Sequence, residues 1–241
     1  MKYKIKECSV KHNTKIKTYR DGNFTKIRCN RKIFKPVGYE KHDDNFNPQK
    51  FCYCPMEKKP KSKKKKSCEP RIDSLKRAKD KIFDMVFEND WKYFLTITFN
   101  GKDFDRTDPK EVIKKLGKWL NNQVNRKGLK YILVPEYHKN GGIHCHALIN
   151  DCKLRFVDSG TRIIKGFNKP VSLETIECNN LSLEGAKVVY NVSDWQYGFS
   201  TAIETYGEPS QLAFYVTKYI TKDVKKIFGK FFWSSKNIKI A

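Results

Sequence analysis

Acidic residues are scarce in this chain: 26 Asp and Glu stand against 50 Lys and Arg in 241 residues, giving a formal net charge of +24. That imbalance excludes an ordinary cytosolic metabolic enzyme as the starting hypothesis. It points to polyanionic partners, nucleic acid first and an anionic membrane surface second. Long apolar runs are also missing, and none approaches the roughly 18 residues of a membrane span. The opening stretch, MKYKIKECSV, has charge but no apolar segment behind it, which argues against a signal peptide. Without a secretory signal, the 8 cysteines read as reduced thiols or metal ligands rather than disulfides.

What is present can build a core, because 39% of residues are apolar and 13% aromatic, well beyond a disordered basic tail. Residues 1–70 hold 21 Lys/Arg against 7 Asp/Glu (net +14), and residues 71–241 hold 29 against 19 (net +10). The division expected is a basic, Cys-containing extension over 1–70 and a folded domain over 71–241. The extension closes on Lys58-Lys59-Pro60-Lys61-Ser62-Lys63-Lys64-Lys65-Lys66. Like charges without an apolar residue to bury make this a solvated linker, serving either as a plain tether or as a rest for phosphates.

Beyond the linker, Ile72, Leu75, Ile82, Val86 and Phe87 recur at helical spacing over 71–90, and Tyr93–Phe99 switches to strand-like alternation. Asp108-Pro109 caps a second helix, whose apolar face (Val112, Ile113, Leu116, Leu120, Val124) runs to Gly128. A hairpin follows, Tyr131–His138 and Ile143–Ile149 around Asn140-Gly141-Gly142. Residues 151–200 carry weaker signals, with strand alternation at Ala186–Val192 and Trp195–Ala202, and Glu208-Pro209 opens a helix to about Ile227. Strands mixed with helices and joined by hairpins predict an α+β domain with a central, mostly antiparallel sheet flanked by helices.

Three segments carry chemistry. In Gly142-Ile143-His144-Cys145-His146, strand alternation points His144 and His146 the same way, which is half a metal site or two imidazoles on a solvated face. A three-residue loop Asn140–Gly142 would set Glu136 opposite His146 and His138 opposite His144, adding a carboxylate to that face. A two-residue Asn-Gly turn would send Glu136 to the other face unless a bulge at Gly142, with the positive φ that glycine permits, restores the parity. Two histidines and one carboxylate leave open positions on Mg²⁺ or Mn²⁺, suited to polarising a phosphate oxygen. On the last helix, Tyr215, Lys218, Tyr219 and Lys222 fall at i, i+3, i+4 and i+7, one stripe of phenols and ammonium groups. Nearby lysines would favour a phenolate nucleophile, and the alternative is amphipathic side chains snorkelling over a core edge.

Taken in order, Phe94-Leu95-Thr96-Ile97-Thr98-Phe99, Gly142-Ile143-His144-Cys145-His146 and Tyr215-x-x-Lys218-Tyr219-x-x-Lys222 resemble the three motifs of HUH-superfamily rolling-circle replication initiators. The likeness is to the Rep proteins of small single-stranded DNA phages and bacterial plasmids, and it covers about residues 91–236. Relaxases place the tyrosine before the histidines, so the order here argues against that branch. The resemblance implies an RNA-recognition-motif-like palm, His144 and His146 as ligands of catalytic Mg²⁺ or Mn²⁺, and Glu136 as an acidic third ligand. It implies Tyr219 with Lys222, or Tyr215 with Lys218, as the nucleophile motif, some relatives using two tyrosines and others one. The activity implied is nicking and rejoining of single-stranded origin DNA through a 5′-phosphotyrosyl intermediate and a free 3′-OH. Cys145 departs from the bulky apolar residue usual between the histidines.

No G-x-x-x-x-G-K-[ST] phosphate loop occurs, so strand separation would need a separate helicase. The resemblance further implies a host DNA polymerase as partner, no membrane, and the bacterial cytoplasm as the location. Trp91, Trp119 and Trp195 are candidates for stacking on DNA or, as the commoner fate, for core packing. Cys29, Cys52, Cys54 and Cys68 are candidates for a small Zn²⁺ module, against unpaired thiols. The alternative functions are an HUH tyrosine transposase and a non-catalytic nucleic-acid-binding protein.

Overall fold

The structure is a computed structural model, and it describes residues 12–20, 23–34, 72–102, 104–167, 169–205, 207–222 and 226–240. The chain divides into two units, residues 1–68 and 69–241. In the first, strands β1 (His12–Tyr19) and β2 (Phe24–Phe34) form an antiparallel hairpin with Ile16 opposite Ile27. Of the cysteines considered for zinc, Cys29 lies on β2, and its side chain falls outside the described residues, as do Cys52, Cys54 and Cys68.

The second unit is an α+β domain. Helix α1 (Ile72–Glu88) precedes β3 (Tyr93–Phe99), helix α2 (Pro109–Lys127) and the hairpin β4 (Tyr131–Tyr137) and β5 (Ile143–Ile149). Then come β6 (Phe156–Ile163), β7 (Val171–Ser172), the short α3 (Leu173–Cys178), β8 (Lys187–Val192), β9 (Gly198–Glu204), α4 (Pro209–Lys222) and β10 (Trp233–Ser234). Eight strands form one antiparallel sheet in the order β10-β4-β5-β3-β9-β8-β6-β7.

Local chemistry places these elements. The Asp108 carboxylate accepts the Lys110 N–H, Pro109 follows in the first turn, and Gly128 at φ 68° ends α2, as the capping residues predict. Odd-numbered residues of β3, β4 and β5 (Leu95, Ile97, Leu133, Cys145, Ala147) are buried against Val112, Leu116, Trp119 and Leu120 of α2. Even-numbered ones (Ile132, Val134, Leu148) are buried against Ile82, Met85 and Val86 of α1 and Ala213, Val216 and Ile220 of α4. The sheet thus carries a separate apolar layer on each face.

Several sequence-based expectations shift. Helix α4 is described as far as Lys222, and Ile227 sits in a separate 3-10 turn where Phe228 and Gly229 take left-handed backbone. The reason is packing, since Ile227 is buried in the α2 layer whereas Val216 and Ile220 are buried in the other. Strand β9 starts at Gly198, later than Trp195. The indoles of Trp119 and Trp195 are buried against one another and donate to the Asp194 and Thr98 carbonyls, which makes them core residues.

A candidate metal centre beside a tyrosine pair

The hairpin register decides which groups meet. Glu136 pairs with His144 and Val134 with His146, two residues away from the expected Glu136–His146 pairing. The loop is Lys139-Asn140-Gly141: the His138 N–H donates to the Gly142 carbonyl (2.7 Å) and the Gly141 N–H donates back to the His138 carbonyl (2.8 Å). Gly141, at φ 80°, supplies the left-handed residue of this turn, so Gly142 needs no positive φ. Gly142 is constrained differently, because a Cβ there would come within 3.0 Å of Arg106 Nε. The shift keeps the parity even, and Glu136 stays on the same face as both histidines.

Glu136 Oε2 lies 3.2 Å from His144 Nε2 and 3.0 Å from His146 Nε2. One ligand atom from each of the three residues falls within 4.8 Å of the others. His138, expected opposite His144, is exposed instead, with its ring centroid 5.7 Å from that of His144. Glu136 and His146 are buried and His144 is half-buried, so the cluster opens to solvent on the His144 side.

Thr96 completes the cluster, and the sequence reading gave it no role of its own. Its hydroxyl lies 3.1 Å from His146 Nδ1, opposite the ring atom that faces Glu136. Thr96 pairs directly with His146 across β3 and β5, so a hydroxyl residue at an even-numbered position in the middle of the strand was the available signal. A hydroxyl both donates and accepts. It can therefore donate to Nδ1 while the Nε2–H bonds Glu136, or accept an Nδ1–H when Nε2 offers its lone pair to a cation. Two imidazole nitrogens, one carboxylate oxygen and a tautomer-setting hydroxyl fit a divalent cation with open positions.

Helix α4 lays the tyrosines over this cluster. The Tyr219 ring stacks on the His146 ring at 3.8 Å between centroids and 24° between planes. Phe94 stacks on His146 at 5.8 Å and meets the Tyr215 ring edge-on at 4.7 Å. The Tyr219 hydroxyl donates to the Tyr215 hydroxyl at 3.0 Å. Burial raises the pKa of Tyr219 above the ordinary phenol value, and the hydrogen bond and charge of Tyr215 and the charge of Glu136 push the same way. These effects oppose the one expected of the lysines on its helix, which would favour the phenolate. Lys218 is exposed, while the side chain of Lys222 lies outside the described residues. Of the residues singled out from the sequence, the fold therefore brings Glu136, His144, His146, Tyr219 and Tyr215 together.

Residues 92–224, more than half of the chain, match the family model described as Replication-associated protein ORF2. No curated protein and no solved structure matches the chain.

Proposed function

From the premise that this chain belongs to the ORF2 family of replication-associated proteins, we propose that it initiates rolling-circle replication by nicking and rejoining single-stranded origin DNA. The observation that carries this reading is the Tyr219 ring lying on the His146 ring, which sets a phenol beside a Glu/His/His cluster. A passive nucleic-acid binder has no need of that juxtaposition.

Glu136, His144 and His146 would hold Mg²⁺ or Mn²⁺, whose Lewis acidity toward a phosphate oxygen is the chemistry the group supplies when bound. Thr96 keeps the His146 ring turned so that Nε2 faces the shared point. Tyr219 Oη attacks phosphorus in line, forming a phosphotyrosyl bond as the bond to O3′ breaks. The phenolic proton leaves toward solvent through the Tyr215 hydroxyl, and O3′ takes up a proton to become the free 3′-OH. Attack by a 3′-OH on the phosphotyrosine reverses these steps and rejoins the strand. Because Tyr219 is the more buried phenol and Tyr215 is 46% exposed, Tyr219 is the first nucleophile and Tyr215 the group free for a second cleavage. Lys218 and Lys222 would offset charge on the phosphate. The basic extension over 1–70 adds phosphate contacts, with a helicase and a host polymerase following on the exposed 3′-OH in the bacterial cytoplasm.

The test is incubation of the full chain with labelled single-stranded origin DNA and Mn²⁺. A covalent adduct that resists denaturation and is lost in Tyr219→Phe is expected. Adduct that persists in the Tyr215→Phe/Tyr219→Phe double variant overturns the tyrosine assignment, and no adduct from the native chain returns the protein to the class of pure binders.

A further inference from the structure

The face that carries the cluster is covered by α1 and α4 over Ile132, Val134 and Leu148, and toward the β4–β5 loop it becomes polar. Across that end the pairings Glu136 with His144, His144 with Thr98 and Thr98 with Phe199 set four residues in one row on one face. Phe199 is 77% exposed, the most exposed of the large apolar side chains described. Two strand spacings separate it from His144, about 10 Å. Its place is fixed by Gly198, whose φ of 149° and contact with the backbone of Thr98 and Asn100 admit no side chain. A ring so held beside the cluster, yet buried by nothing among the described residues, lacks a structural use there.

A cation lies on the same side of β5. Position 142 precedes His144 by two residues and so faces its way, and the Arg106 side chain occupies the space a Cβ at Gly142 would take, with Cζ at 3.3 Å. The Arg106 carbonyl accepts the Ile143 N–H at 3.0 Å, which pins the backbone there, and no carboxylate among the described residues pairs with the guanidinium. An anchored guanidinium and an exposed ring flanking one row match the two recurrent chemistries of a single-stranded nucleic acid, phosphate and base face.

We infer that single-stranded DNA crosses this open end of the sheet with one base stacked on Phe199 and one phosphate held by Arg106, both close to the scissile position. The inference rests on the replication reading above and specifies its substrate path. The experiment measures affinity of the full chain for a fluorescent oligo(dT) of about 20 nucleotides, in chelator to stop cleavage, across a salt series. Phe199→Ala is expected to weaken binding about tenfold with an unchanged salt slope, and Phe199→Trp to restore it. Arg106→Gln is expected to flatten the slope of log K against log salt by about 0.7, the value for one phosphate on a single strand. Native affinity in Phe199→Ala, or a native slope in Arg106→Gln, overturns the inference. Thermal melting at the native temperature keeps either result from being one of folding, since Phe199 is exposed and Arg106 lies outside both buried layers. No affinity of the native chain for single strands would instead overturn the replication reading itself.

Discussion

The two faces of the sheet are written by alternate residues of the same strands, yet they do different work. On β5, Ile143, Cys145, Ala147 and Ile149 enter the α2 layer, while His144, His146 and Leu148 face α1 and α4. The α2 face is apolar along the whole strand and closes over Trp119 and Trp195. The α4 face begins the same way at Leu148 and ends in imidazoles, a carboxylate and two phenols. A strand apolar on one side throughout can hold polar groups at fixed positions on the other, because the buried side sets register and the polar side follows from parity. The register that places the histidines is thus set largely by the buried residues of the opposite face.

If that division holds, variants on the two faces should separate chemistry from stability. The largest effect expected is from Tyr219→Phe, which should lower the rate of covalent adduct formation by about a thousandfold or more. Its unfolding free energy should change by about 1 kcal/mol or less, since one hydroxyl hydrogen bond is lost. Next, Trp195→Ala on the opposite layer should cost about 3–5 kcal/mol in denaturant melts. Mn²⁺ affinity of the fraction still folded should not change, and a parallel loss would mean that the faces are coupled. Third, Thr96→Val, nearly isosteric, should weaken Mn²⁺ binding about tenfold through loss of the hydroxyl that orients His146, read by titration calorimetry without DNA. Thr96→Ser should recover most of that affinity, which a role in packing alone would not allow.

The same division explains what the sequence made legible. Strong periodicity placed α1, β3, α2, β4, β5 and α4, and parity assembled Glu136, His144 and His146 even though the pairing slipped by two residues, because an even error leaves every residue on its face. The slip came from reading Gly142 as a turn residue. A sequence does not display that Arg106, 36 positions earlier, fills the space beside it. Strands β6 and β7 escaped notice for a physical reason: Val157 is exposed, β6 bulges between Asp158 and Thr161, and neither strand has one clean apolar side. The raised pKa of Tyr219 was illegible too, since it depends on burial and on the approach of Tyr215 and Glu136.

The smallest effect is the sharpest test of the division. Cys145 stands between the two histidines in sequence, and a thiol there is a natural suspect as a further metal ligand. It is fully buried in the α2 layer, paired with Ile97 on one side and Pro135 on the other, and burial raises the pKa of its thiol above the ordinary value. A thiol held neutral on the far side of the sheet neither ligates the cation nor reacts readily with alkylating reagents. Cys145→Ala should therefore cost about 1 kcal/mol in stability, the worth of one small buried group, and alter Mn²⁺ affinity by less than about twofold. In the native chain, iodoacetamide should label Cys178, which is exposed, well before Cys145. If Cys145→Ala instead cost tenfold in Mn²⁺ affinity at unchanged stability, parity would not be what separates the core from the chemistry.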